Sequence, residues 1–466
     1  MVFDRVIKNG MLVTPGESRR ANICIKDGKI AAITDRDSPV TAREETDAAG
    51  KFVLPGLIDT HVHSRDGYKG AHHKEDFFHS SMAGACSGIT TILEMPNCNP
   101  AVYDVARMQD LIACITPKAH VDFGVWGLCL GELNNASLPA LAEAGVIGFK
   151  FFWGYAIDAK SYQLIYNYQE GMENVIPPLD QGEVYKIFRT VAQTGLQVAI
   201  HAENFDIIKL LTAEVMATGD KSYAAMLRAR PSVSETTIIE TAILIAKALG
   251  THLHILHLAA GDGVELIRRA QLDGVRVTGE TCPHYLTLTD RDAERVGSLI
   301  KGYPPVRTQT DQGLLWAGLL DGTLTHVCSD HAPHTPEEKK LDLWSAPAGM
   351  AAIETMPLVM LDAVNRGKLT INEFCRVLSE APARLYNLYP QKGSLAVGAD
   401  ADLVLIDLQA RYTFAQESMH SRTKLSPYDG MTMTGKPVMT ILRGTTIAEN
   451  GEIVGAPTGH FIRPVG

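Results

Sequence analysis

Eight short β-rich apolar runs alternate with longer helical stretches through the middle of this 466-residue chain. The runs occupy residues 56–63, 89–95, 121–128, 146–152, 197–201, 252–258, 275–280 and 325–330. Such alternation is typical of repeated βα units around a parallel sheet. Eight units predict an α/β fold of the (β/α)8 TIM-barrel type, whose active site lies where the strands end and the following loops begin.

The two ends of the chain have a different sequence pattern, in which short predicted strands are separated by turns. Turn residues at 8–10 and 26–28 predict two hairpins near the N-terminus. We expect both ends to meet in one small β-sandwich beside the barrel. The predicted domains are residues 1–54 for the N-terminal part of the sandwich, 55–389 for the barrel, and 390–466 for the C-terminal part and tail.

Composition excludes several classes of function. The formal net charge of −10 does not suit a nucleic-acid-binding surface. No uninterrupted apolar run reaches the roughly 18 residues of a membrane span, and no secretory signal opens the chain. Eight cysteines stand singly, without a C-x-x-C pair, which fits a reducing compartment. We expect a soluble cytoplasmic protein that acts on small molecules.

Side chains that can bind metals stand at the ends of five of the eight runs. The first run ends in His61-Val62-His63. Because side chains alternate along a strand, both imidazoles should point the same way, into the barrel mouth. Four further runs end at Lys150, His201, His257 and Asp330. Four histidines and one aspartate form a nitrogen and oxygen donor set that suits zinc or a similar divalent ion, with room for water.

Lys150 needs a separate explanation, because an ammonium group would be repelled by metal cations. A buried lysine tends to lose its proton, and a neutral amine can react with carbon dioxide. The resulting carbamate is a bidentate anion that could bridge two metal ions. Lys150 is therefore predicted to be a carboxylated, bridging ligand.

In their order along the chain, these six side chains resemble the metal signature of the amidohydrolase superfamily. More narrowly, the chain resembles the cyclic amidase branch that contains dihydroorotases, allantoinases and hydantoinases, from residues 53–59 to 398–404. The resemblance implies two divalent metal ions, with zinc expected. It assigns His61, His63 and Asp330 to the deeper ion, His201 and His257 to the outer ion, and Lys150 to both.

The same resemblance implies the chemistry. Two divalent ions make hydroxide available near neutral pH and polarise the amide carbonyl that it attacks. Asp330 would accept a proton as general base and then deliver it, as general acid, to the departing ring nitrogen.

Smaller motifs bear on the ring that is opened. Arg65, Asn97 and His334 resemble the set with which dihydroorotases bind the substrate carboxylate, and an arginine can form a bidentate pair with such a group. Tyr155, five residues after Lys150, resembles the hydantoinase tyrosine that donates to the developing oxyanion. Residues 422–428 are more similar to allantoinases and hydantoinases.

We therefore expect metal-dependent opening of a dihydropyrimidine, hydantoin or ureide ring that bears a carboxylate, with dihydroorotase-like activity as the main expectation. Allantoinase and hydantoinase or dihydropyrimidinase activities are the alternatives. A non-catalytic scaffold of the same fold is a more remote one. The resemblance also implies a homodimer or homotetramer.

Overall fold

Parallel strands in the middle of the chain pair in sequence order and close into the predicted barrel. The computed structural model describes residues 2–165 and 168–465. The barrel strands are Leu57–Val62, Ile89–Glu94, Asp122–Val125 continued by Gly127–Leu128, Phe149–Phe152, Gln197–His201, His252–Ile255, Val277–Thr281 and His326–Val327. The chain just after the first strand pairs with the chain just after the eighth, where His63 N donates to His331 O at 2.8 Å. The α/β barrel is therefore confirmed.

The third strand differs from the predicted run because it changes partner at Trp126. Trp126 N donates to Glu94 O on the second strand, whereas Gly127 N donates to Gly148 O beside the fourth. The strand is thereby split into Asp122–Val125 and Gly127–Leu128. One apolar run can thus pair with two neighbouring strands in succession, and the hydrophobic pattern alone does not reveal this change of partner.

The sixth and eighth strands end earlier than predicted. His257 and Asp330, the metal-capable residues expected at their ends, lie beyond the last paired residues and have φ angles of 35° and 47°. A left-handed backbone conformation cannot continue a strand. These two side chains therefore lie in the first turns of the loops, where a barrel collects its chemistry.

Helices outside the barrel connect the strands. The longer ones are Phe77–Cys86, Val105–Ile115, Leu138–Ala144, Gln181–Thr194, Phe205–Ala217, Tyr223–Ala229, Ser232–Leu249, Asp262–Leu272, Gln309–Leu320 and Thr355–Asn365. Shorter helices are Pro283–Thr287, Ala293–Val296, Pro336–Lys339, Ile371–Cys375 and Ala381–Leu385. Several begin at a side chain that accepts the N–H three residues ahead, namely Asp76, Asp104, Asp180, Asn204, Ser222 and Thr308. Within the described residues, no helix has both the length and the apolar character needed to cross a membrane.

Both ends of the chain contribute to one ten-stranded sheet, as predicted. Its strands are Phe3–Lys8, Met11–Val13, Ser18–Lys26, Lys29–Asp35, Ala42–Asp47, Phe52–Pro55, Leu403–Thr413, Thr432–Leu442, Thr445–Glu449 and Glu452–Ile453. Antiparallel pairing of Phe52–Pro55 with Leu403–Thr413 joins the two ends. A separate apolar core, including Ile23, Val53 and Leu403, lies within this domain. The exact domain limits stay a prediction.

One of the two predicted hairpins is confirmed and the other is wrong. Residues 26–28 turn between two paired antiparallel strands. The strands on either side of residues 8–10 do not pair with each other, because both pair with successive parts of Ser18–Lys26. A turn-like sequence here bends one interrupted strand, since a nine-residue partner is long enough to pair with both segments.

A buried charge cluster joins the terminal sheet to the N-terminal end of the barrel. Lys392 Nζ lies 2.5 Å from Asp122 Oδ2, 2.6 Å from Asp402 Oδ2 and 2.9 Å from Asp400 Oδ2. The guanidinium of Arg443 also contacts Asp122. We call these five residues the bottom charge cluster; its ionic groups pair with one another across the domain contact.

Candidate active site

The six predicted metal ligands lie together at the mouth of the barrel, and all of them line one cavity of about 380 Å³. The ring centroid of His61 is 5.1 Å from that of His63 and 5.2 Å from that of His257. His257 is in turn 4.8 Å from His201. The four imidazoles therefore form one continuous group, although they come from strands far apart in the sequence.

His61, His63 and Asp330 have the spacing of ligands to a single cation. Asp330 Oδ1 lies 3.4 Å from His61 Nε2 and 3.5 Å from His63 Nε2. Two ligands each about 2.1 Å from a tetrahedral metal are about 3.4 Å apart. Buried His61 Nε2 also has no hydrogen-bond partner. These three residues therefore fit one metal ion.

His201 and His257 form a second pair of converging donors. His201 Nδ1 lies 3.1 Å from His257 Nε2, which is close to the same ligand-to-ligand spacing. Burial lowers the pKa of His257 well below its ordinary value, and the neighbouring His201 lowers it further by a smaller amount. A neutral imidazole offers a lone pair, which is the form in which histidine binds a metal.

Carboxylates and one amide fix which nitrogen each histidine presents to the cavity. His61 Nδ1 donates to Glu280 Oε1 at 2.8 Å, and His201 Nε2 donates to Glu203 Oε2 at 2.9 Å. His63 Nδ1 is 2.7 Å from Asn97 Oδ1. In each case the other ring nitrogen faces another of the predicted metal ligands. Such partners set the tautomer and orientation of metal-binding histidines.

Lys150 is completely buried, and its Nζ has no hydrogen-bond partner among the residues that the structure describes. Burial lowers the pKa of this amine to about 7, against smaller opposing effects of Asp330 and Glu280. The Nζ atom lies 4.4 Å from the centroid of the Phe152 ring. An unpartnered amine with a lowered pKa, beside two groups of candidate ligands, fits the bridging role inferred for Lys150.

Strained backbone is found at the site as well. Arg65, His257 and Asp330 have φ angles of 54°, 35° and 47°. Non-glycine residues avoid this region, and such residues persist only where the surrounding structure holds them. The three side chains are therefore aimed into the cavity by loops that do not relax into ordinary geometry.

The residues predicted to contact the substrate line the same cavity, and each forms hydrogen bonds with a different protein group. Arg65 Nε donates to Pro333 O at 3.1 Å, and its Nη2 lies 3.2 Å from His334 Nε2. Tyr155 OH is 3.2 Å from His201 Nε2. Asn97 uses its carbonyl oxygen to orient His63. Asn97 therefore has a positioning contact that the sequence did not indicate.

Glu280 and Glu203 are functional residues that the sequence analysis missed. Glu280 is the next-to-last residue of the seventh strand, near the strand end at which the predicted ligands gather, and Glu203 stands two residues after His201. Both positions were visible in the sequence. Their roles were not, because only the fold shows which histidine each carboxylate reaches.

Residues 344–349, which we call the roof segment, form a continuous part of the cavity lining. Gly349 has a φ of 134°, and a Cβ there would come within 2.3 Å of Ala332 O. A glycine at this position lets the roof segment pass directly against the loop that carries Asp330.

Comparisons with known proteins agree with this arrangement. The model of a family described as "Amidohydrolase family" matches residues 52–447. An L-hydantoinase of Paenarthrobacter aurescens is 37% identical over 458 residues, which cover 97% of this chain and 96% of that protein. An allantoinase of Deinococcus radiodurans is 36% identical over 469 residues, covering 100% of this chain and 99% of that protein.

Solved structures give the same result. The L-hydantoinase (dihydropyrimidinase) from Arthrobacter aurescens superposes with a TM-score of 0.92 at 36% identity, covering 99% of this chain and 100% of that chain. A D-hydantoinase structure has a TM-score of 0.88 at 30% identity, with 99% and 98% covered. The likeness therefore extends over both the barrel and the terminal sheet.

Proposed function

Because this chain belongs to the amidohydrolase family and is a cyclic amide hydrolase, we propose that it opens the ring of a hydantoin or a related cyclic ureide. The convergence of six side chains on one cavity, with buried and unpartnered nitrogens on His61, Lys150 and His257, carries this proposal. The names of similar proteins, hydantoinase and allantoinase, support these two activities over the dihydroorotase-like activity expected from Arg65, Asn97 and His334.

Two divalent cations, with zinc as the expected metal, are part of this proposal. His61, His63 and Asp330 would hold one cation, His201 and His257 the other, and a carboxylated Lys150 both. When bound, such cations supply hydroxide near neutral pH and polarise the carbonyl under attack.

The chain's own side chains complete the reaction. Asp330 takes up the proton released as hydroxide adds to the ring carbonyl, and transfers it to the ring nitrogen as the C–N bond breaks. The burial of Asp330 would raise its pKa, but His61 and His63 outweigh that effect and lower the pKa well below its ordinary value. The carboxylate is therefore ionised, which is the form that a general base requires.

Tyr155 stabilises the transition state in this proposal. Its hydroxyl lies against His201, on the wall of the cavity that holds the donor groups. A phenol donating to the oxygen of the opening carbonyl stabilises the developing negative charge more than it stabilises the substrate. Arg65 and His334 remain proposed contacts to polar groups of the substrate.

Assays of the purified, zinc-loaded protein with substituted hydantoins, allantoin and dihydroorotate test the proposal. We expect hydrolysis of a hydantoin or of allantoin with the highest kcat/KM. A kcat/KM highest for dihydroorotate would restore the dihydroorotase-like activity. Absence of hydrolysis of all three, with two metal ions bound per chain, would contradict the proposed function.

Cytoplasmic location and homo-oligomeric assembly also belong to the proposal. All eight cysteines are free thiols, which supports a reducing compartment. Light scattering of the purified protein will show whether it is a dimer or a tetramer.

A further inference from the structure

The outer part of the active-site cavity is basic, although the chain as a whole is acidic. Among the described residues that line the cavity, Asp330 is the single carboxylate, and it belongs to the metal group. The same lining includes Arg65, Lys74 and Lys301 outside that group. Although the chain has a net charge of −10, cationic side chains predominate in the lining of this cavity outside the metal group.

Lys301 is the most informative of these cations. It is 2% exposed, and its Nζ donates to Trp344 O of the roof segment at 2.8 Å. No carboxylate among the described residues forms an ion pair with it. Burial, followed by the nearby Arg230, lowers the pKa of Lys301 to about 8. A buried ammonium without a counter-ion is costly, and an anion placed beside it would remove that cost.

Lys339 is a second buried lysine that donates to a carbonyl group of the roof segment. It is 7% exposed and its Nζ donates to Pro347 O at 2.8 Å. Burial, followed by Lys301, lowers its pKa to about 7. Two buried lysines thus hold two carbonyl groups of the roof segment, and they interact electrostatically with each other while neither has an ion-pair partner in the described part of the chain.

A second group of cations lies around His334. Lys74 Nζ is 3.3 Å from His334 Nδ1, and Arg65 Nη2 is 3.2 Å from His334 Nε2. Glu338 neutralises Lys74 at 2.6 Å. Burial, followed by Arg65 and Lys74, lowers the pKa of His334 well below its ordinary value, so this imidazole adds a polar but neutral surface.

We propose that Lys301, together with Arg65 in the same cavity lining, forms a subsite for an acidic substituent of the ring substrate, with Lys339 next to the roof segment. The proposal rests on the proposed ring-opening function and specifies its substrate: a hydantoin or ureide that carries a carboxylate on a side arm. The ring amide lies at the metal group and the acidic arm lies under the roof segment. A carboxylate there receives charge-assisted hydrogen bonds in a partly dehydrated site.

A purely structural role for the two lysines is the competing explanation, because each already binds a roof carbonyl. A substitution that removes the charge but keeps an N–H donor separates the two. Lys301→Gln can still donate to Trp344 O, and it cannot attract an anion over a distance. Lys340→Gln, which changes an exposed neighbour of Lys339, is the matched control.

The experiment compares two hydantoins that differ in charge and hardly in shape, those derived from glutamate and glutamine. With the zinc-loaded protein, we expect kcat/KM to be about 10-fold or more higher for the glutamate hydantoin, as one charge-assisted hydrogen bond provides. Lys301→Gln should reduce that ratio by a similar factor, and Lys340→Gln should leave it unchanged. Inorganic phosphate should compete with the glutamate hydantoin.

Several results would overturn the proposal. Equal kcat/KM values for the two hydantoins would do so. If phosphate then inhibited the hydrolysis of both hydantoins equally, the cations would form a site for a free anion instead. An equal loss for both substrates in Lys301→Gln would leave only the structural role. Calorimetric binding of the two hydantoins keeps the test independent of turnover: tighter binding of the glutamate compound without hydrolysis would support the subsite and contradict the ring-opening function.

Discussion

At the bottom of the barrel, Lys392 lies within 2.9 Å of three carboxylates, whereas at the mouth Lys150 is just as buried and its Nζ has no partner. Lys392 contacts Asp122 at the start of a barrel strand, Lys150 lies within another barrel strand, and both have titratable groups nearby. The partners of Lys392 raise its pKa, despite the opposing effect of burial. Burial lowers that of Lys150 to about 7.

The difference separates a cluster that stabilises from a cluster that is prepared to bind. A buried polar atom without a partner costs about 1 to 3 kcal/mol, so such atoms persist where a ligand completes them. The bottom charge cluster needs no ligand because its own members satisfy one another. Substitutions at the two ends should therefore have opposite signatures, one in turnover and the other in the free energy of unfolding.

The largest effect is expected for Asp330→Asn at the mouth. Losing the group that carries the proton should reduce kcat/KM for the best substrate by about 100- to 10,000-fold, with little change in the melting temperature. Steady-state kinetics and thermal unfolding measure both. Asp402→Asn, the same change at the bottom, should lower stability and leave the turnover of the folded protein intact. Similar loss of turnover in both variants would erase the distinction between the two ends.

Lys392→Met should give the opposite signature. Removing the cation leaves buried carboxylates facing one another, and breaking a buried ion pair in this way costs about 3 to 5 kcal/mol. Denaturant unfolding will give the free energy, with kcat measured on the protein that remains folded. The exposed Lys209→Met should change stability by about 0.5 kcal/mol or less. A Lys392→Met protein as stable as the parent would show that the cluster contributes little.

Tyr155→Phe sharpens the comparison within the mouth itself. If the hydroxyl donates to the transition state, kcat should fall by about 100-fold while KM and the number of bound metal ions stay near the parent values. Tyr185→Phe, on an outer helix, is the control. A parallel loss of metal would mean instead that Tyr155 acts through His201.

The smallest effect concerns Glu94, which lies on the mouth side and is 1% exposed. Burial raises its pKa to about 8 from the ordinary 4.5, against the hydrogen bonds of Ser64. The protonated carboxyl group therefore stabilises the fold fully below pH 4.5, and this contribution is lost as the pH rises through about 8. Glu94→Gln should be more stable than the parent at pH 8 by about 1 to 3 kcal/mol, and this advantage should shrink towards pH 5.

Urea unfolding at several pH values, with the exposed Glu265→Gln as control, will measure the stability difference of Glu94→Gln. A difference between variant and parent that does not change with pH would contradict the raised pKa.

The sequence allowed much of this molecule to be predicted because its main signals are local. Alternating side chains along a strand bring His61 and His63 to one side, and the eight apolar runs predict the barrel that gathers them. Local signals failed where a distant partner decided the outcome. Trp126 interrupts a strand because the chain there exchanges one neighbour for another, and residues 8–10 bend a strand because one long partner accepts both segments.

By itself, the sequence determined the barrel and the joining of its two ends in one sheet, and it predicted the six candidate metal ligands that the structure brings to one cavity. The tertiary structure decided which nitrogen of each histidine faces the cavity and that Asn97 orients His63. It also decided that Lys301 and Lys339 bind the roof segment and form no ion pair with a carboxylate among the described residues. The reason is physical: residue type and period fix what a side chain can do and which way it points. Its charge, partners and exposure depend on atoms that the fold brings from hundreds of residues away.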